Sequence, residues 1–147
     1  MADFYHVCFA VPDIERAMAD LRAATGADWA APRTETMGEW EFRIVFSRGE
    51  APFIELIEGP PGSPWACGGE ARFDHLGYWA ADLGRESERL EAAGAPLDFS
   101  GCPYGRPFAY HRLDSVGARV EVVDAARRPA FASSWGLDCG GTAVLGG

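Results

Sequence analysis

Basic residues are scarce in this chain of 147 residues. Arginine and lysine together number 13, against 22 aspartates and glutamates, which gives a formal net charge of -9. A nucleic-acid surface needs a basic stripe that neutralises phosphates, and these few basic residues form none. The acidic balance therefore excludes nucleic acid as the expected partner and favours a small molecule.

Cysteines and long apolar runs are few as well. Cys8, Cys67, Cys102 and Cys139 form no CxxC pair, and a domain of this size does not need disulfides, so reduced thiols are predicted. The N-terminus carries no basic and apolar signal segment, and no apolar run approaches the roughly 18 residues that span a bilayer. A cytoplasmic protein without a membrane segment is expected.

Two common catalytic signatures are also missing. No serine or cysteine has a partner histidine at a recognisable spacing, which argues against a nucleophilic triad. The glycines of CGGEA at 67–71 follow no predicted strand and open no predicted helix, so they do not form a phosphate-binding loop.

The sequence does contain an internal repeat. FYHVCFAVPDIERAMADLRAATGA at 4–27 returns as FDHLGYWAADLGRESERLEAAGA at 73–95, and FIELIEG at 53–59 lies over RVEVVDA at 119–125. With 48% apolar residues, the chain is long enough for one domain with a buried core. Two equivalent modules that close this core together are therefore predicted.

Each module has the same predicted order of elements. A strand of alternating apolar residues ends at Pro12, and Asp13 caps a helix whose apolar residues recur at helical spacing. Further strands follow around short turns, with one weakly marked strand in each module, at 28–37 and 96–102. The order strand, helix and three strands, found twice, predicts an α+β fold of two βαβββ modules.

The boundaries follow from composition. Module one is predicted at about 4–60 and module two at about 72–128, joined by a linker at about 59–71 that is dense in proline and glycine. Together they form one predicted domain over 1–135. The remaining segment, 136–147, is small and glycine-rich and is predicted to be a flexible tail.

Four chemically active side chains occupy repeat-related positions. His6 and His75 lie on the first strand of each module, and Glu55 and Glu121 lie on the last. Each residue alone has an ordinary structural explanation, but both glutamates interrupt apolar runs at matching places, where burial without a cation is costly. Imidazole and carboxylate are typical ligands of divalent metals, so the four together predict a shared metal site.

The motifs YHVCFAVPD, FIELIEG, FDHLGYWAAD and RVEVVD, in paired modules, resemble the vicinal oxygen chelate superfamily. This superfamily includes glyoxalase I, methylmalonyl-CoA epimerase, extradiol dioxygenases and antibiotic-resistance proteins, and the resemblance covers residues 4 to about 128. It implies that the two modules pair into a cup-shaped mixed β-sheet with the helices outside and a metal ion on the floor. It also implies a homodimer.

The resemblance places the family's metal ligands at His6, Glu55, His75 and Glu121. A His, Glu, His, Glu set resembles bacterial glyoxalase I, whereas the epimerases tend to have Gln at the second position and the extradiol dioxygenases use three protein ligands. One divalent ion is implied, nickel, cobalt, manganese or zinc in preference to iron. The implied activity is that of an isomerase or lyase that chelates adjacent substrate oxygens and moves a proton through Glu121 or Glu55.

Two other functions stay open. One is a binding or resistance protein that sequesters an aromatic small molecule without turnover, and the other is an Fe(II) ring-cleaving dioxygenase. The turn LDSVGARVEVV lacks the Asp-Pro-Asp-Gly usual in glyoxalase I, so the substrate is left open too.

Strand parity predicts the lining of the cup, because alternate side chains share one face of a sheet. Pairing PFAYHRLD with RVEVVD puts Phe108, Tyr110 and Arg112 on the same face as Glu121. The same register in module one puts Phe42, Ile44 and Phe46 beside Glu55, and Trp79 shares a face with His75. These seven residues are the predicted substrate-binding residues. A largely apolar or aromatic substrate with adjacent oxygens is expected, and His111, on the opposite face, is expected outside the cup.

Overall fold

A computed structural model describes residues 2–137 and contains eight strands and three α-helices. The elements, in chain order, are β1 Asp3–Ala10, α1 Ile14–Thr25, β2 Arg33–Met37, β3 Trp40–Phe46, β4 Phe53–Glu58, β5 Arg72–Ala80, α2 Leu83–Ala92, β6 Leu97–Ser100, β7 Phe108–Leu113, β8 Ala118–Asp124 and α3 Arg128–Trp135.

The first helix of each module begins at an equivalent aspartate. The carboxylate of Asp13 accepts a hydrogen bond from the backbone N–H of Arg16, and Asp82 accepts one from the N–H of Arg85, each at 3.0 Å. These bonds satisfy N–H groups that the helix itself leaves unpaired. Helix α1 ends at Gly26, whose φ of 75° lies in the left-handed region.

All eight strands form one mixed sheet in the order β2-β3-β4-β1-β5-β8-β7-β6. Strands β1 and β5 pair antiparallel at its centre, and β4 and β8 pair parallel to them on either side. The order is therefore the same when read outward from the centre through either module. The sheet curls into a cup, which confirms the predicted α+β fold of two βαβββ modules, including the weakly marked strands β2 and β6.

Two bulges interrupt the central pairing. The β1–β5 register shifts between Phe4 and His6 and again between Cys8 and Phe9, which leaves Tyr5 on β1 and Asp74 on β5 as the extra residues. An extra residue breaks the alternation of side chains, so neighbours in sequence can point to the same side of the sheet. Tyr5 and Asp74 are equivalent in the repeat, and each precedes one of the two histidines at the cup floor.

The apolar core lies on both faces of the sheet. Outside the cup, α1 packs on a cluster that includes Ile14, Val45 and Leu56, and α2 packs on a second that includes Leu90 and Val122. Inside, two largely aromatic clusters flank the floor, one around Tyr5, Phe46, Phe53, Trp79 and Trp135 and the other around Phe42, Trp65 and Tyr110.

The end of the described chain differs from its prediction. Helix α3, over Arg128–Trp135, was not predicted, and the segment assigned to a tail begins with two ordered residues. Gly136 ends the helix in the left-handed conformation, and Leu137 is buried in the core cluster inside the cup. The rest of the predicted tail, 138–147, lies outside the described residues.

Cys8, Cys67 and Cys102 are free thiols, as predicted, and Cys139 is outside the described residues. Over residues 2–137, none of the helices combines the length and the apolar character that crossing a membrane requires.

Candidate metal centre and substrate cavity

The four predicted ligands converge at the floor of the cup. The Nε2 atoms of His6 and His75 lie 2.9 Å apart. The Oε1 atom of Glu55 lies 3.6 Å and 3.2 Å from these two nitrogens, and that of Glu121 lies 3.2 Å and 3.5 Å from them. All four residues are buried, the glutamates retaining only 6% and 8% exposure.

Strand pairing brings the four residues together. The histidines lie on the two central strands, and each glutamate lies on the parallel neighbour, with Glu55 opposite Cys8 and Glu121 opposite Gly77. Cys8 and Gly77 are equivalent in the repeat. A Cβ atom at position 77 would lie 2.0 Å from the His6 ring, so only glycine leaves room for this imidazole.

The donor set fits a divalent cation. The separations of 2.9 to 3.6 Å between the nitrogen and oxygen atoms are typical of neighbouring ligands that each lie about 2.1 Å from one ion. Ligand atoms of His6, His75 and Glu121 all lie within 4.8 Å of one another. Burial of two carboxylates at one point is costly unless a positive charge compensates them, which a bound cation supplies.

His75 is held from behind by a buried carboxylate. Its Nδ1 lies 2.7 Å from Oδ2 of Asp74. The Asp74 carboxylate also accepts hydrogen bonds from Arg119, at 2.8 Å on Oδ1 and 2.7 Å on Oδ2, and Arg72 contacts Oδ1. Burial opposes ionisation of Asp74, but His75 and Arg119 outweigh it and lower the pKa of Asp74 to about 2. Burial likewise opposes the charge on His75, but Glu121, Asp74 and Glu55 raise its pKa to about 10 in the metal-free centre.

Glu55 has a hydrogen-bond donor of its own. Burial raises the pKa of this carboxyl, but His6, His75 and a hydrogen bond from the Cys8 thiol outweigh burial and keep it below its ordinary value. The Cys8 thiol is fully buried, and burial together with the charge of Glu55 raises its pKa well above the usual range. Cys8 therefore remains a neutral donor, and it has no counterpart beside Glu121, where the repeat has Gly77.

A cavity of about 320 Å³ opens above the two glutamates. Aromatic side chains are the largest group in its walls, which come from both modules and from α3. Six of the seven predicted substrate-binding residues line it, namely Phe42, Ile44, Phe46, Trp79, Phe108 and Tyr110. The predicted strand registers are confirmed, with Phe46 opposite Glu55 and Tyr110 opposite Glu121.

Arg112 does not lie in this cavity, contrary to the prediction. Its guanidinium is half-exposed and lies near Asp98 and Asp114, at 3.5 and 3.4 Å, in a separate polar depression. Parity assigns the correct face of β7 to Arg112 but not its position along the strand. Arg112 is not among the residues that line the cavity and shares the polar depression with Arg119, whose guanidinium lies 4.1 Å from the Tyr110 ring centre.

His111 lies on the outer side of the sheet, as predicted. Its ring nitrogens contact Ser87 Oγ on α2 at 2.6 Å and the carbonyl oxygen of Ala95 at 2.8 Å. One nitrogen therefore contacts α2 and the other contacts the segment that follows this helix.

Helix α3 contributes cavity residues that sequence reasoning missed. Phe131 and Trp135 line the cavity, and Phe131 contacts Tyr5, Phe46 and Trp79 with ring-centre separations of 4.8 to 5.5 Å. The signals for this helix are Pro129 in its first turn and Gly136 after its last, a pattern typical of helix ends.

Arginines stand at the rim of the cavity. Arg33 bonds Ser134 and lies 3.6 Å from the ring centre of Trp135, and Arg106 pairs with Glu35 at 3.1 Å. Arg127, just before α3, also lines the cavity and makes no ion pair within residues 2–137.

The sequence of this chain is similar to those of known proteins. A family model described as the Glyoxalase/Bleomycin resistance protein/Dioxygenase superfamily matches residues 5–110. The chain belongs to this superfamily. This member of the superfamily is 31% identical, over 133 residues, to an ethylmalonyl-CoA/methylmalonyl-CoA epimerase of Cereibacter sphaeroides, with 80% of this chain and 93% of that protein covered. The resemblance to the superfamily predicted from the motifs is thus confirmed.

Solved structures of the superfamily share the fold. A methylmalonyl-CoA epimerase variant from Streptomyces coelicolor, in complex with 2-nitronate-propionyl-CoA, has 18% identity and a TM-score of 0.64, covering 86% of this chain and 99% of that chain. The methylmalonyl-CoA epimerase from Mycobacterium tuberculosis has 21% identity and a TM-score of 0.64, covering 88% and 92%.

Proposed function

We propose that this protein is a metal-dependent isomerase of the epimerase type, which removes and returns a proton at a carbon next to a carbonyl group. The observation that carries the proposal is the convergence of His6, Glu55, His75 and Glu121 beneath an aromatic cavity. The similarity to an ethylmalonyl-CoA/methylmalonyl-CoA epimerase over most of both chains supports this reaction class.

The four residues would hold one divalent ion, nickel, cobalt, manganese or zinc. Imidazole and carboxylate ligands suit these ions, whereas thiolate and thioether ligands select softer metals. Such an ion supplies Lewis-acid catalysis to the substrate oxygens that it binds. The buried floor keeps the ligands ordered, and the aromatic walls exclude water from the reacting carbon.

Glu121 is the proposed base. The Cys8 thiol helps to keep the pKa of Glu55 below its ordinary value, which suits Glu55 to the role of an ionised metal ligand, whereas Glu121 lies opposite Gly77, which has no side chain to donate. Tyr110 lies opposite Glu121 on the paired strand, and burial and the nearby carboxylates raise its pKa well above the usual range, so its hydroxyl keeps a proton for donation to a substrate oxygen. Glu121 takes the α proton from one face of the carbon, and a solvent-derived proton delivered to the opposite face inverts its configuration.

The proposed substrate is an acyl compound with two oxygens that can be chelated together and an anionic group. The curated relative is named for ethylmalonyl-CoA and methylmalonyl-CoA, which have these features. Arg127 at the rim is a cation available to an anionic portion of the substrate, and the wall formed by Tyr5, Trp79 and Phe131 suits an apolar substituent on the reacting carbon. The homodimer and the cytoplasmic location stay predictions.

Solvent exchange tests the proposal. The protein, purified without chelator, is analysed for metal and incubated in D₂O with methylmalonyl-CoA and, separately, with ethylmalonyl-CoA. We expect one divalent ion per chain, and loss of the proton NMR signal at the acyl C2 position of at least one substrate as deuterium enters.

Three results would contradict the proposal. Metal-loaded protein that exchanges neither substrate is not an epimerase of this class. Tight binding of an aromatic ligand without turnover favours the binding-protein alternative. Oxygen consumption with Fe(II) and a catechol favours the ring-cleaving dioxygenase.

A further inference from the structure

The two halves of the proposed metal centre are not equivalent, although the repeat makes them alike. Behind His75, the bulge residue Asp74 contacts Nδ1 of the ring at 2.7 Å. Behind His6, the equivalent bulge residue is Tyr5, and Nδ1 of His6 is buried without a hydrogen-bond partner among residues 2–137.

The residues that contact Asp74 also differ between the two modules. Asp74 is 1% exposed, and Arg119 binds both of its carboxylate oxygens. Arg119 lies opposite His75 on β8, where module one places Phe53 opposite His6 on β4. Module two thus carries a buried ion pair where module one carries an apolar contact.

Arg119 is itself held in place. Its guanidinium donates to the carbonyl oxygen of Pro64 at 2.8 Å and packs over the Tyr110 ring. The carboxylate of Asp74 is therefore oriented by groups from the segment between the modules and from β7 and β8.

A neutral imidazole that binds a metal through Nε2 carries its proton on Nδ1, and an acceptor at Nδ1 fixes both this tautomer and the ring orientation. We propose that Asp74, held by Arg119, is a positioning residue that fixes His75 as the stronger of the two histidine ligands. This inference rests on the metal site of the proposed function.

The direct test compares metal affinity between matched variants. Asp74→Asn keeps the size of the side chain but removes its charge. Asp98→Asn is the control, because Asp98 lies 3.4 Å from the same Arg119 but has no contact with His75. Zinc and cobalt affinities are measured by competition with a chromophoric chelator, without any substrate.

We expect Asp74→Asn to weaken metal binding by about 10- to 100-fold, the usual effect of losing an outer partner of a ligand, and Asp98→Asn to change it less than about twofold. Equal affinities for the two variants and the unaltered protein would overturn the role of Asp74 and leave the metal site standing. Failure of the unaltered protein to bind either ion would overturn both.

A second measurement uses the unaltered protein and so does not depend on the folding of a variant. In zinc-loaded protein labelled with ¹⁵N-histidine, long-range ¹H–¹⁵N correlation reports the tautomer of each ring. We expect His75 to carry its proton on Nδ1, with the downfield shift of a strong hydrogen bond to a carboxylate, and His6 to lack that shift. A proton on Nε2 of His75, or identical Nδ1–H shifts for both rings, would overturn the proposal.

Discussion

Gly77 and Cys8 occupy equivalent positions in the two modules, and each faces a glutamate across a parallel strand pair. Gly77 makes room for the His6 ring, and Cys8 donates a hydrogen bond to Glu55. The difference between cysteine and glycine at this one repeat position therefore gives the two carboxylates different surroundings.

Gly77→Ala is expected to displace the His6 imidazole, because the new methyl group would lie 2.0 Å from the ring and the ring is buried on all sides. We expect metal affinity to fall by about tenfold or more. Gly84→Ala in α2 is the matched control, since the nearest atom to its methyl group would be 3.6 Å away and alanine favours a helix. Metal titration of both variants checks this, and unchanged affinity in Gly77→Ala would contradict the described packing.

Glutamine in place of either glutamate keeps the side-chain size and one oxygen ligand but cannot accept the proton. Glu121→Gln is expected to retain metal and to lose about a hundredfold or more in deuterium exchange, as for removal of a general base. Glu55→Gln is expected to have a milder effect, because Glu55 is assigned to holding the ion and its lowered pKa favours the ionised ligand.

Metal content and exchange rate are measured on the same samples. A large loss of exchange in Glu55→Gln, with Glu121→Gln near the parent rate, would reverse the two roles. Parent rates in both variants would exclude both residues as the base.

Helix α3 is the element that gives the cavity its aromatic end. Phe131→Ala is expected to enlarge this end and to shift selectivity toward the larger acyl group, because one methylene in an apolar pocket is worth about 1–3 kcal/mol. Its cost in stability should be smaller than the roughly 3–5 kcal/mol of a fully buried phenylalanine, since Phe131 is only partly buried.

The measurement is the ratio of kcat/KM for ethylmalonyl-CoA to that for methylmalonyl-CoA, which is expected to rise several-fold. Phe4→Ala provides the control, because Phe4 is 41% exposed and packs on Tyr78 away from the cavity. An equal ratio in both variants would remove α3 from substrate selection.

The turn before α3 brings Arg127 to the rim of the cavity. Arg127→Gln is expected to raise KM for an acyl-CoA substrate by about tenfold with little change in kcat, the pattern of a lost charge-assisted contact that binds substrate and transition state alike. Arg128→Gln, which removes the neighbouring cation paired with Asp3 at 3.4 Å, should change KM less. Steady-state kinetics distinguish the two, and equal KM values would exclude Arg127 from substrate binding.

At the level of elements, local signals predicted most of the sheet and the first two helices. Helix caps at Asp13 and Asp82 and strand alternation depend on nearby residues, so they can be recognised in the sequence. The bulges at Tyr5 and Asp74 cannot, because regular alternation would put Asp74 and His75 on opposite faces. Strand parity also predicts only which face of the sheet a side chain occupies. Arg112 was therefore assigned to the correct face of β7 but to the wrong position along the strand.

For the whole molecule, the repeat supplied the architecture. Equivalent strands in two modules predicted paired βαβββ units, and matching positions of His6, Glu55, His75 and Glu121 predicted that they meet. The differences between modules depend on contacts distant in sequence, such as that of Asp74 with Arg119. A repeat pattern records what the modules share, so such differences become visible only when the chain is folded.

Titration of the metal-free protein with a divalent ion, followed by deuterium exchange into an acyl-CoA substrate, shows whether proton removal from the substrate needs the metal. We expect exchange to rise in proportion to added metal and to stop rising at one ion per chain, and we expect no such rise in His75→Ala. Exchange that is already complete without metal, or a fully metal-loaded protein that never exchanges the acyl proton, would contradict a metal-dependent epimerase.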